Sequence, residues 1–235
     1  MKKAYIAFII LFAVIPTSFA AERRPLEAID SDEFTQDTQV PLKGAGDNHV
    51  AIAWWIPNEF WQAIFTRDST IAQVEKEAML EVISGVSLMA VVQADITAIG
   101  AFRFYSKEEI AKNMTLSYTE DAGKELGITP MQKISPDLEL LLGIFKPILG
   151  AAMGNLGNNL HFYVLDDNSV TSSRLLDPYQ AGLIYIQLVT RDGVSIDASI
   201  ETPINALFIP RKCPNGKEAH VTWKYCPWSG KPLPE

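Results

Sequence analysis

Seven consecutive apolar residues, Val50-Ala51-Ile52-Ala53-Trp54-Trp55-Ile56, end at Pro57. That length and that stop suit a buried strand better than a helix. The spacing then changes. Asn58 is a good N-cap, and Phe60 and Ile64, with Trp61 and Phe65 one turn apart, share one side of a short helix over 59–66. A second helix is capped by Ser69 or Thr70, carries Ile71, Val74, Ala78, Met79 and Val82 at helical spacing, and stops at Gly85. Residues 86–95 and 99–105 are rich in β-favouring side chains and predict a hairpin about Ile96-Thr97-Ala98.

Ser106-Lys107-Glu108-Glu109 is a capping-box signature that opens a brief helix to about Asn113, and a strand is expected over 115–119. Ser135-Pro136 begins a longer helix toward Leu156, kinked by Pro147 and weakened by Gly143, Gly150 and Gly154. A strand over 161–165 ends in the turn cluster Asp166-Asp167-Asn168-Ser169. Asp192-Gly193, flanked by apolar segments 183–190 and 194–201, predicts a two-residue type I′ hairpin. In its second strand Val194, Ile196, Ala198 and Ile200 alternate with polar residues, so one face is buried and one wet. The first strand is apolar on both faces, which places it inside the sheet and its partner nearer the edge. Paired strands with helices inserted between them predict an α+β domain over 49–210 with a largely antiparallel sheet.

The segments on either side of that domain read differently. Lys2 and Lys3 precede an uncharged apolar run, Ala4 to Ile15, too short for the roughly 20 residues a membrane span needs. Pro16 breaks the run, and Ser18-Phe19-Ala20 supplies small residues for cleavage after Ala20, so residues 1–20 have the layout of a secretory signal. Residues 21–48 are mostly polar, include Asp30-Ser31-Asp32-Glu33 and close on Gly44-Ala45-Gly46. They predict an extended or partly flexible leader.

Charge narrows the partners. The chain carries 20 basic and 28 acidic residues for a net charge of −8, and signal removal takes two lysines with it. A chain this acidic repels nucleic-acid phosphates and anionic lipid, so nucleic acid is not an expected partner. The expected product is a soluble periplasmic or secreted protein with no stable membrane span after cleavage. The apolar stretch Leu138 to Leu156, interrupted by Glu139, Lys146 and Pro147, fits a core helix, with insertion into a target membrane as its rival.

Candidate chemistry is sparse. Cys213 and Cys226 are the two cysteines, and an even count in an exported chain reads first as one disulfide. Their surroundings, Cys213-Pro214-Asn215-Gly216 and Cys226-Pro227-Trp228-Ser229-Gly230, resemble a zinc ribbon of the rubredoxin-knuckle type, whose turns carry Cys-Pro-x-Cys-Gly. The resemblance covers about residues 211–235 and implies a short knuckle hairpin. Gly216 and Ser229 stand where the family has its second cysteines, so two thiolates remain where zinc needs four ligands. The resemblance brings the two cysteines together, and a disulfide then replaces the metal. A metal set of Cys213, His220 and Cys226 with a carboxylate such as Glu218 is the rival; no cofactor is expected.

Trp54, Trp55 and Trp61, with His49 close by, either line a ligand pocket or pack into the core. His49 or His161, oriented by Asp47 or Asp166, is the best general base on offer for a hydrolase. No Gly-x-Ser-x-Gly, His-Glu-x-x-His, P-loop or dinucleotide fingerprint accompanies them. A non-enzymatic binding module is therefore the leading expectation, an exported hydrolase the first alternative, and a membrane-active effector the second.

Overall fold

A computed structural model describes residues 21–168 and 174–233. The secretory-signal segment and Ser169 lie outside the described residues. The fold is α+β, built on two antiparallel sheets over one contiguous core. In the first sheet β1 (Gln39–Pro41) pairs with β2 (His49–Ile56), which pairs with β3 (Val86–Ile96). Its other two strands share the far edge of β3: β4 (Phe102–Phe104) takes the end, and β7 (His161–Asp166) takes Val86 to Val91. The second sheet runs β6 (Glu125–Ile128), β5 (Met114–Glu120), β8 (Gly182–Val189), β9 (Ser195–Thr202). Strand β3 has β2 on one edge and β7 and β4 on the other and is buried along most of its length, which explains its nearly unbroken apolar run.

The helices are α1 (Ser31–Thr38), α2 (Asn58–Arg67), α3 (Gln73–Val82), α4 (Lys107–Asn113) and α5 (Pro136–Ala152). Both halves of the capping box on α4 form: the Glu109 N–H donates to Ser106 Oγ at 3.2 Å, and the Ser106 N–H to Glu109 Oε2 at 2.8 Å. On α2 the capping position is Pro57, one residue before the expected Asn58. On α3 it is Ala72, since Thr70 bonds Asp68 instead. Trp61 of α2 stacks on Phe145 of α5 with centroids 4.2 Å apart, joining the two helices across the core.

Several expectations change. Much of the anticipated leader is in regular structure, with a 3₁₀ turn at Leu26–Ala28 followed by α1 and β1: Asp30 caps α1 by accepting from the Asp32 and Glu33 N–H groups, and Ile29 and Phe34 are fully buried. The acidic run that lowered the mean hydropathy is a helix N-terminus, where acids are favoured by the helix dipole. Strand β1 follows, and Lys43 exchanges two backbone bonds with Asp197, linking this segment to β9 of the other sheet.

The β8–β9 connection also differs. The Thr190 N–H reaches Val194 O, the Gly193 N–H reaches Thr190 O, and among the described residues no non-glycine has a positive φ. A type I′ turn would need one at Asp192; this is a type I turn closed by a glycine bulge. The same two bonds recur at Thr97-Ala101 with Gly100 and at Glu120-Lys124 with Gly123. All three glycines have φ near +80°, a conformation that penalises any side chain. Strand β8 does lie inside its sheet and β9 at the edge, but β8 alternates buried with half-buried residues rather than being buried on both faces.

Helix α5 ends at Ala152, and a 3₁₀ segment, Gly154–Asn159, folds back so that Gly157 meets Gly150. A Cβ on Gly157 would overlap the Gly150 carbonyl, a backbone group that cannot step aside. Gly157→Ala is therefore expected to cost about 1–3 kcal/mol, read as a lowered urea midpoint; an unchanged midpoint would show that the helix end is loose.

Candidate functional site

Between β7, the start of β5, α4 and α5 lies an open cleft of about 1040 Å³, roofed on one side by the segment 127–134. The Met131 N–H donates to Val164 O at 2.8 Å, pinning that segment to the outer edge of β7. Tyr163 OH donates to Lys107 O at 2.8 Å and ties β7 to α4. Met114, Leu116, Ile128, Leu142, Phe162 and Val164 give the cleft apolar walls. Its charged rim has one dominant sign, with Lys107, Lys133 and Lys146 set against Glu139. In a chain of net charge −8, a cleft with three lysines and one carboxylate stands out.

His161 also lines the cleft. Its Nε2–H points to the Tyr105 carbonyl at 3.3 Å, which leaves Nδ1 as the acceptor. Burial lowers its pKa from the ordinary 6.5; the charges of Lys146 and Lys107 lower it further, and the hydrogen bond to the Tyr105 carbonyl and the charge of Glu108 oppose them. Burial likewise raises the Tyr163 phenol above its usual range.

The other anticipated site residues are placed elsewhere. Trp54, Trp55 and Trp61 are buried in the core and line no part of the cleft. Their indoles are accommodated there: Trp54 donates to Thr38 Oγ1 and Trp55 to Ser87 Oγ, both at 3.2 Å. The His49 side chain is buried too. Its Nδ1 lies 3.0 Å from Asp95 Oδ1 and its Nε2 3.3 Å from Gln93 Nε2. Its carboxylate is thus Asp95, its cross-strand neighbour, rather than Asp47. Asp166 bonds Asn168 and does not orient His161.

Asp95 belongs to a network centred on Arg191. The guanidinium reaches Asp95 at 2.8 Å, both Glu109 oxygens at 3.0 Å and the Phe104 carbonyl at 2.9 Å, and it stacks 3.8 Å from the Tyr105 ring. Burial pushes Asp95 up, but hydrogen bonds from Arg191, Tyr105 and His49 outweigh it and hold the carboxyl below its usual range. The β8–β9 turn is thereby fastened to the first sheet. A second cluster joins Arg174 to Asp167 and Glu59, with Asp167 also accepting from the Leu176 N–H. Asp167 is thus committed to a cation of the chain itself.

At the C-terminus β10 (Arg211–Lys212) and β11 (Glu218–Ala219) form a short hairpin, and Cys213 and Cys226 are joined by a disulfide with Cα atoms 5.6 Å apart. The bond closes a thirteen-residue separation, worth about 3 kcal/mol in the loop-entropy account. Each cysteine starts a tight turn: the Cys213 N–H donates to Lys217 O, and the Cys226 N–H to Lys231 O. The first turn is one residue shorter, and Gly216 matches the positive-φ Gly230, not Ser229. His220 Nδ1 pairs with Thr222 Oγ1. Among the described residues no group of three or more His, Cys, Asp or Glu is placed to hold a metal ion. No helix among them is long and apolar enough to cross a membrane.

Sequence reasoning missed Lys107, Lys133 and Lys146. One signal was available: the two charges that interrupt the apolar helix α5, Glu139 and Lys146, both face the cleft. Comparison with protein-family models, curated proteins and solved structures finds no match to this chain.

Proposed function

We propose that this protein is an exported, non-enzymatic binding module whose cleft takes an anionic ligand with an apolar body. The observation that carries this reading is the lysine excess around an apolar-walled cleft in an acidic chain. Small-molecule sites are typically concave, about 300–1,000 Å³, largely apolar and marked by a few placed polar groups. Fixed cations in such a setting select an anion and speed its capture. Of the two candidate bases, His49 has both ring nitrogens occupied within the fold, and the carboxylate expected to orient His161, Asp166, bonds Asn168 instead.

Export to the periplasm or the exterior rests on the layout of residues 1–20, and a disulfide is consistent with an oxidising compartment. The tail fits a zinc ribbon that has lost its metal. The second turn keeps the family's length with Ser229 at the cysteine position, the first has lost that position, and the disulfide holds the two together.

The test is titration with dodecanoate, dodecyltrimethylammonium and acetate, followed by calorimetry. Saturable binding of dodecanoate alone is expected, because it combines the negative head with the apolar body. Equal binding of the cationic amphiphile, or no binding of either, would overturn the proposal.

A further inference from the structure

The charge of this chain is not spread evenly. Residues 21–210 hold thirteen basic and twenty-six acidic side chains, whereas residues 211–235 hold Arg211, Lys212, Lys217, Lys224 and Lys231 against Glu218 and Glu235. The same short tail exposes three large aromatics: Trp223 at 38%, Trp228 at 50% and Tyr225 at 62%. Its own small core, Cys213, Ala219, Cys226 and Leu233, is closed without them. The aromatics are therefore not spare packing for the tail; they face outward among the lysines.

We propose that the tail is a docking surface for an anionic lipid bilayer. Tryptophan and tyrosine favour the bilayer interface, where an apolar ring and a polar tip are both accommodated. Lysines near an anionic leaflet add roughly additive attraction. The acidic domain is repelled by the same surface, so the uneven charge orients the molecule tail-first. Overall acidity argues against anionic lipid only for a uniformly charged chain.

Ring geometry separates this partner from a glycan or a single-stranded nucleic acid, both of which need open, flat ring faces to stack on. Here the Lys217 ammonium sits 4.8 Å from the Trp228 centroid. Trp223 meets Trp228 at 69° and His220 at 45°, so the rings make no common platform. An interface that accepts ring edges imposes no such demand.

The experiment is co-sedimentation of the full purified protein with phosphatidylcholine vesicles, with and without about 30% phosphatidylglycerol, and with tryptophan emission recorded in parallel. Expected are binding to the anionic vesicles alone, a blue-shifted emission, and weakening as salt rises. Lys217→Gln/Lys224→Gln/Lys231→Gln should reduce partitioning about tenfold or more. Trp223→Ser/Trp228→Ser, which removes both exposed tryptophans, should abolish the blue shift. These side chains are exposed, and a circular dichroism spectrum and urea midpoint like the parent's confirm that each variant has folded. Lys43→Gln/Lys124→Gln, at exposed positions of the domain, should change vesicle binding less than twofold, which separates this surface from the domain's overall charge. Undiminished binding by the tail variants, equal binding to neutral vesicles, or binding of polyuronate or oligothymidylate without vesicle binding would each overturn the proposal.

Discussion

Arg174→Met is expected to destabilise the fold by about 3–5 kcal/mol near neutral pH, because it strands two buried carboxylates. Asp167 accepts two guanidinium bonds, at 2.7 and 2.9 Å, and Glu59 a third. Burial raises the pKa of both acids, with Arg174 opposing the rise. A carboxyl whose folded pKa is raised stabilises the fold below its unfolded pKa, and that contribution is lost as pH rises through the folded value. Removing the cation enlarges the rise. The deficit of Arg174→Met should therefore be greatest near pH 7 and shrink as pH falls toward about 5. Urea midpoints at the two pH values measure it, with Glu59→Gln/Arg174→Met recovering part of the loss at the higher pH. A deficit independent of pH would mean that the cluster acts through packing alone.

Charge reversal in the cleft has the second large effect. Lys107→Glu/Lys146→Glu should weaken dodecanoate binding about 100-fold or more, since each change replaces an attraction by a repulsion and truncating a partly buried charge contact costs about 2 kcal/mol or more. Lys76→Glu on α3, which lines no part of the cleft, is the control and should change affinity less than twofold, as screening blunts distant charges. Isothermal titration of both variants measures this. Equal losses would assign the effect to net charge, and unchanged affinity in the double variant would move the ligand elsewhere.

The elements with strong local signals were legible in the sequence. The Ser106 capping box, the Pro57 stop and the two-faced pattern of β9 depend on neighbours within a few residues, where local chemistry acts. The hairpins were half legible. Asp192-Gly193 marked the right place, but the determinant is the glycine three residues after Thr190, and Gly100 and Gly123 mark their turns in the same way. The leader was misread because average polarity hides a few well-spaced residues, and Ile29 and Phe34 suffice to dock α1 on α2. In the tail, the cysteine pair was readable from composition and motif.

The candidate site was hardly legible. Lys107, Lys146 and His161 come from three elements that the fold brings around one cleft, and no periodicity within any of them announces it. The partnership of His49 with Asp95 likewise needs the β2–β3 register, which links residues 46 apart. The tryptophans drew attention by size, yet size serves the core at all three positions.

The most direct measurement is the titration of His161 by NMR on histidine-labelled protein, with and without dodecanoate. Its signal is assigned by comparison with His161→Gln; His49 and His220 serve as internal references. Without ligand, burial and the Lys146 and Lys107 charges hold the His161 pKa below 6.5. Its contribution to stability is therefore present above 6.5 and lost as pH falls through the folded value. A bound carboxylate neutralises the lysines and favours the imidazolium. The expected result is an upward shift at His161 alone, with dodecanoate binding tightening as pH falls through that range. An unchanged His161 titration at saturating dodecanoate would contradict the cleft as the anion site.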